Sequence, residues 1–311
     1  MEISKFTDYS NKIVSNCSKV IIGKEDALKL IVISFICSGH VLLEDVPGTG
    51  KTMLLKSFAK TVGGAFKRIQ FTPDLLPSDL TGINFYNQKT HDFEFRPGPL
   101  FANVILADEI NRATPRTQSS LLEAMEERQI TVDGKTNILA KPFMVMATQN
   151  PLESFGTFPL PEAQVDRFFM RLALGYLTRS QEIEVVLRPA SETILGSLTQ
   201  VVTAEETDYV QNNYQHVTIC DDVTGYIMDI VEATRKERRF FAGLSTRGTI
   251  AFFRAAKACA AINGRSFCTP EDVLFVAPHI LTHRLSSNVS SGNANDILDE
   301  IIREIPVPLE G

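Results

Sequence analysis

Residues 42–52 read LLEDVPGTGKT. A phosphate-binding loop asks for glycine, four free positions, then Gly-Lys-Ser/Thr. Gly50, Lys51 and Thr52 supply the last three, while Asp45 stands where the first glycine belongs. Before the loop, HVLLE (40–44) is a short apolar run of the kind a buried parallel strand needs. After it, KTMLLKSFAKTV (51–62) has helical spacing. Strand, glycine loop, helix is the context that gives the match weight. Such a loop wraps backbone N–H groups around phosphate oxygens at a helix N-terminus. Gly48 and Gly50 permit the close approach. Lys51 is placed to neutralise the β- and γ-phosphates, and Thr52 to hold Mg²⁺. The first glycine only eases the exit from the strand, and Asp tolerates unusual dihedrals there. The plainer reading is a strand-to-helix turn carrying a surface lysine.

Further along, NVILAD (103–108) reads as a second buried strand and FMVMAT (143–148) as a third. Between them PRTQSSLLEAMEERQ (115–129) fits a helix, with Gln118, Leu121, Leu122 and Met125 on one face. QITVDGKTNILA (129–140) reads as a hairpin turning at Asp133-Gly134. Strands alternating with helices imply an α/β fold with a mostly parallel sheet covered on both faces. Asp108 and Glu109 then fall at the carboxyl end of the sheet, where nucleotide sites form. Asp108 can support Mg²⁺ and Glu109 can polarise a water for attack on the γ-phosphate. The plainer reading is two solvated acids capping the next helix.

Asn150, at the end of the third strand, can orient the attacking water, or can simply make a polar turn before Pro151. Arg167 can supply transition-state charge to a phosphoryl group, often from a neighbouring subunit. From spacing alone, a local ion pair with Asp166 is the better reading of Arg167. Arg247, in GLSTRG, opens a helix in the second half; it can reach a nucleotide or be a solvated helix-end arginine.

After about Leu177 the pattern becomes helical throughout, with Ser, Thr or Asp caps opening several helices and TPED (269–272) placing proline at a first helical position. We therefore expect an α/β core over residues 1–178 and a small all-helical domain over 179–311. The 311 residues are 44% hydrophobic and 22% charged, a globular composition with a net charge of −6. That acidic balance, without a basic stripe, argues against nucleic acid as a partner. Five scattered cysteines without a CxxC argue against a disulfide framework or zinc site. The longest apolar stretch, LIVISFIC (30–37), is too short to span a bilayer, so a cytoplasmic location is the expectation.

These motifs together resemble the MoxR family of AAA+ ATPases over roughly residues 10–285. LLEDVPGTGKT resembles its Walker A loop. ILADEINRATPRTQSSLLEAMEERQITVDG (105–134) resembles its extended Walker B region and is the most specific match. MATQNPLESFGTFPLPEAQVDRFFMRL (146–172) resembles its sensor 1 and arginine-finger region, and GLSTRG (243–248) its sensor 2. The resemblance implies a P-loop AAA+ core followed by a helical lid. It implies ATP and Mg²⁺ as cofactors, with Pro47, Gly48, Thr49, Gly50, Lys51, Thr52, Met53 and Asp108 at the nucleotide and Thr52 and Asp108 at the metal. Gly23, in VIIGKEDAL, resembles the segment that packs on adenine. Glu109, Asn150, Arg167 and Arg247 are the implied catalytic set.

Residues 72–101 resemble an insertion that forms a hairpin facing a ring pore, and residues 130–139 a second, pre-sensor hairpin. Such proteins form rings, usually hexamers, with ATP at each interface. They resemble chaperones and commonly act with partners carrying von Willebrand A domains. A chelatase-type metal-insertion motor and a DNA-directed motor share the same core. Asp45 lies within what the family tolerates.

Overall fold

The computed structural model describes residues 1–44, 48–149, 156–188, 191–287 and 293–308. In chain order these form α1 (Ser4–Ser18), α2 (Glu25–Ile36), β1 (Val41–Glu44), α3 (Lys51–Val62), β2 (Phe66–Gln70), α4 (Pro77–Thr81), β3 (Gly82–Asn87), β4 (Asp92–Pro97) and β5 (Val104–Asp108). There follow α5 (Pro115–Glu127), β6 (Gln129–Val132), β7 (Lys135–Ile138), β8 (Met144–Gln149), α6 (Glu162–Val165) and β9 (Met170–Leu172). The rest is helical: α7 (Arg179–Leu187), α8 (Ser191–Ser197), α9 (Ala204–Asn213), α10 (Asp221–Lys236), α11 (Thr246–Ile262), α12 (Pro270–Leu281) and α13 (Ala294–Glu304).

Five strands make one parallel sheet in the order β2-β5-β8-β1-β9. Its inner strands are apolar on both sides because both faces are covered. Val41, Leu43, Val104, Leu106, Met144 and Met146 pack into one core. The alternating Leu42, Ile105, Ala107, Val145 and Ala147 pack into a second, with Leu121, Leu122 and Met125 of α5. Strands β2 and β9 are edge strands that the apolar pattern does not single out. β2 carries exposed Lys67 and Arg68, and β9 has only three residues. Helix α1 is likewise added by the structure: Phe6, Tyr9, Ile13 and Cys17 are its buried stripe. It docks on the helical part, where the Tyr9 and Thr207 hydroxyls lie 3.0 Å apart. Lys12 donates to Glu206 at 2.7 Å beside them.

Caps fix the helical part. Thr203 accepts from the Glu206 N–H at 3.1 Å while Glu206 accepts from the Thr203 N–H at 2.7 Å. Ser245 opens α11 by accepting from the Gly248 N–H at 3.1 Å. Pro270 holds the first position of α12. Cys17, Cys37, Cys259 and Cys268 are buried free thiols and Cys220 is an exposed one. Among the described residues no helix is long and apolar enough to cross a membrane.

His40 ties the amino edge of the sheet together. It is buried, accepts from the Val145 N–H at Nδ1 (3.0 Å) and places Nε2 3.0 Å from the Met125 carbonyl oxygen. Nε2 therefore carries the proton, as the donor that a carbonyl requires. Burial, and then the Arg128 charge, push its pKa from the ordinary 6.5 down to about 3. Below pH 6.5 the unfolded chain takes up a proton that the folded chain refuses. The neutral ring's contribution to stability is complete above that pH and is lost as pH falls toward 3, at up to about 1.4 kcal/mol per pH unit. Urea unfolding across this range should give a shallower acid limb for His40→Gln than for the parent. Equal slopes would show that His40 is not the group responsible.

Candidate nucleotide site

The glycine loop lies at the carboxyl edge of the sheet, between β1 and α3. Asp45 and Pro47 fall outside the described residues. Gly48 and Gly50 have φ of +88° and +86°, a left-handed backbone in which any side chain is strained. Gly50 is the N-cap of α3, so Lys51, Thr52 and Met53 form its first turn. A helix's own ladder leaves the N–H groups of that turn for another acceptor, and the dipole favours an anion there. Beside the loop is a cavity of about 260 Å³, lined by Gly48, Thr49 and Gly50 and by the apolar Val20, Ile21, Ile22 and Met53. Lys24 donates to the carbonyls of Gly175 and Tyr176 at 3.1 Å and ties the two walls together. Gly23 is at a turn with φ +65°, where a Cβ would lie 2.2 Å from the Gln181 amide of α7. It lets the 20–24 segment approach α7, while its neighbours line the cavity.

The two acids sit at the end of β5; Glu109 is the N-cap residue of the short turn that follows, but its side chain makes no capping hydrogen bond there. Thr148 of β8 positions both: its hydroxyl donates to Asp108 Oδ1 at 2.6 Å and accepts from the Glu109 N–H at 2.8 Å. Arg68 of β2 donates to Asp108 Oδ2 at 2.6 and 3.1 Å. Glu109 has a left-handed backbone, φ 57° and ψ 50°. Such strain in a residue other than glycine collects at functional sites. Its carboxylate accepts from Gln70 at 2.8 Å and from Arg112 at 3.0 Å. Arg68, Gln70 and Thr148 thus join the candidate site without a signal that sequence reasoning had read, and Arg112, a reserve candidate for the arginine role, is instead a partner of Glu109. Gln70 and Arg68 alternate on an edge strand that the pattern did not reveal, and Thr148 reads as one more residue of an apolar strand. Asn150 falls outside the described residues.

The arginines lie elsewhere. Arg167 does not pair with Asp166: its Nε is 3.1 Å from Glu126 Oε2. Asp166 instead accepts from Arg284 at 2.6 Å, and Arg284 is almost wholly buried. Arg284 also donates to the Phe168 carbonyl at 2.7 Å, stapling the end of α12 to the approach to β9. Burial lowers the Arg284 pKa, and Asp166 is the partner that opposes the shift. Arg247, at the start of α11, donates to Glu126 Oε1 at 2.6 Å. One carboxylate therefore holds both candidate arginines on a cavity of about 440 Å³.

This cavity is at the amino edge of the sheet. Helix α5 starts after β5 and runs back, so Glu126 near its end stands beside His40, just before β1. Arg167 just precedes β9, and the Phe169 N–H between them donates to the His40 carbonyl at 2.8 Å. Strands of three to six residues, on the order of 10–20 Å of sheet, separate Arg167 and Arg247 from the glycine loop of the same chain.

Residues 40–170 match the ATPase family associated with various cellular activities (AAA), and residues 232–305 match the AAA lid domain. The chain is 46% identical over 303 residues to the protein YeaC of Bacillus subtilis, covering 96% of this chain and 95% of that one. It is 39% identical over 303 residues to chaperone MoxR1 of Mycobacterium tuberculosis, covering 93% of this chain and 77% of that one. The chain belongs to the MoxR family of AAA+ ATPases. A solved structure from Cytophaga hutchinsonii, 40% identical and covering 98% of both chains, superposes with a TM-score of 0.90. The fold is accordingly an α/β AAA+ module with a helical lid, and the glycine loop belongs to a nucleotide-binding family.

Proposed function

We propose that this MoxR-family chain hydrolyses ATP to ADP and phosphate at the junctions of a homo-oligomeric ring, and uses the cycle to remodel or mature other proteins. The observation that carries this reading is the separation just described. The loop is at one edge of the sheet and the Arg167–Arg247 pair at the other, too far apart to serve one nucleotide within one chain. Each complete site then takes residues 48–53, Asp108 and Glu109 from one chain and Arg167 and Arg247 from the next. Arg247 acts across the interface in this arrangement. Val20, Ile21, Ile22 and Met53 offer the apolar wall for the base, with Gly23 shaping the turn. Asn150 remains the proposed water-orienting residue.

Mg²⁺ fits the donors at hand. A threonine hydroxyl and one carboxylate are the oxygen-only, partial set that this ion accepts while phosphates and waters complete its shell. Thr52 and Asp108 would hold it, and when bound it neutralises charge on the phosphates. Among the described residues no cluster of three acidic, histidine or cysteine side chains offers a closed metal site. Glu109, held by Gln70 and Arg112, is the base that takes a proton from the attacking water. Freed of Arg68, Asp108 can face the metal.

For the work itself, a six-membered ring and a protein client or partner with a von Willebrand A domain fit the family. The β3–β4 hairpin presents exposed Tyr86 and Phe93, with ring centroids 5.5 Å apart, as apolar contacts for a chain in a central pore. The net charge of −6 supports a protein rather than a nucleic-acid partner; a cytoplasmic site of action is part of the same proposal. The test is assembly. Glu109→Gln chains, which retain ATP, should sediment as a closed oligomer with ATP and Mg²⁺ and as smaller species without them. A monomer at high protein concentration with saturating ATP would reject the ring.

A further inference from the structure

Glu126 is set apart from the other charges of the amino-edge cavity by what it holds. Asp166, the other carboxylate among the described lining residues, belongs to Arg284. Arg128 and Arg254 turn inward and spend their N–H groups on backbone carbonyls and one tyrosine hydroxyl. Arg128 donates to Phe143 (3.1 Å) and Ser38, and Arg254 donates to Cys37 and to the Tyr214 hydroxyl (2.8 Å). There they cap the carboxyl end of α2, which suits cations. Among the described residues Glu126 alone faces Arg167 and Arg247, one oxygen on each, at 3.1 and 2.6 Å. It is about one-third exposed, so the contact is reachable from outside. Arg167 belongs to the sheet-bearing part and Arg247 to the lid helix α11, so the carboxylate also joins the two.

We propose that Glu126 is an internal stand-in for the neighbouring chain's γ-phosphate, holding Arg167 and Arg247 together in the free chain and giving both up when ATP arrives across the interface. The proposal rests on the cross-interface role of the two arginines. A carboxylate and a γ-phosphoryl group cannot occupy the same guanidinium N–H groups, and their like charges repel. The phosphoryl group brings more charge and three acceptor oxygens, so it wins the arginines when it is present. ADP, lacking that group, has less with which to displace Glu126. The exchange releases two arginines in one step, so the lid's arginine is delivered with the core's.

The test measures assembly rather than turnover. Glu109→Gln and Glu109→Gln/Glu126→Gln chains are titrated by sedimentation with ATP and Mg²⁺. Glutamine keeps the shape and removes the charge, leaving the arginines without a counter-ion in the free chain. The double variant should half-assemble at a protein concentration about fivefold lower, the scale of one partly exposed ion pair. The shift should shrink at high salt, where such pairs are screened. An unchanged or raised threshold overturns the proposal, since a carboxylate that merely aligned the arginines would weaken assembly when removed. Glu109→Gln/Arg167→Ala, run in parallel, separates the two ideas. If it assembles as well as its parent, the cross-interface role itself fails. If it is impaired while Glu126→Gln has no effect, only the stand-in role fails.

Discussion

Arg167→Ala and Lys51→Ala chains, each inactive alone, are expected to regain ATPase activity when mixed. Because Arg167 lies at the opposite edge of the sheet from its own loop, its guanidinium is proposed to serve the next chain's nucleotide. Neutralising charge that develops on the γ-phosphate oxygens is worth roughly 10³- to 10⁵-fold in rate in other nucleotidases. The Arg167→Ala chain should therefore bind ATP nearly as its parent does and hydrolyse it slower by that factor. Lys51→Ala has the reverse defect, with an intact arginine and a crippled loop. In a mixed oligomer some junctions place the intact loop against the intact arginine, and those junctions turn over. Initial rates across mixing ratios, with co-assembly shown by sedimentation, check this. If co-assembled mixtures stay inactive, Arg167 acts within its own chain or only holds the fold through Glu126. Neither Arg112, occupied by Glu109, nor Arg171, 3.2 Å from Glu44, faces the same cavity.

The second large effect separates binding from chemistry. Lys51→Ala should weaken ATP binding on the order of a hundredfold or more, the scale for removing one partner of a desolvated charge pair. Glu109→Gln should bind ATP with parental affinity and lose roughly 10²- to 10⁴-fold in turnover, because an amide cannot take the proton from water. The amide can still meet Gln70, so the left-handed turn at residue 109 has no reason to move. Fluorescent-nucleotide titration and phosphate release measure the two quantities independently. Parental turnover in Glu109→Gln would assign the base to another group.

Much of this was legible in the sequence. The loop, both acids and the helix after the loop fall where spacing puts them, because apolar strand, glycine turn and helix start are all local signals. Several of the lid helices were legible from their caps. What sequence did not reveal is non-local. Arg68 and Gln70 matter only because β2 pairs with β5, and a half-exposed edge strand leaves no apolar alternation to read. Thr148 looks like core until its hydroxyl is seen between two acids. Arg167 was matched with its neighbour Asp166 because sequence adjacency is the only distance a sequence offers. In the fold the neighbours diverge, and each finds its partner far along the chain, Glu126 in one case and Arg284 in the other. The edge on which Arg247 stands could not be read either, since it depends on the direction in which α5 returns across the sheet.

In the proposed ring, placing loop and arginines at opposite edges of one sheet gives each copy a donor end and an acceptor end. An open arc of copies then finishes with a nucleotide that meets no arginine at one end and arginines that meet no nucleotide at the other. Such an arc has one fewer working junction than it has members, whatever its length. Joining its ends repairs both defects at once, so the last contact gains a whole site where a partial contact would gain a fraction. Head-to-tail contacts can instead grow into filaments when their rotation does not close. Here the number of copies is set by that rotation angle, and the reward for closing falls due only when the final junction has ATP to share.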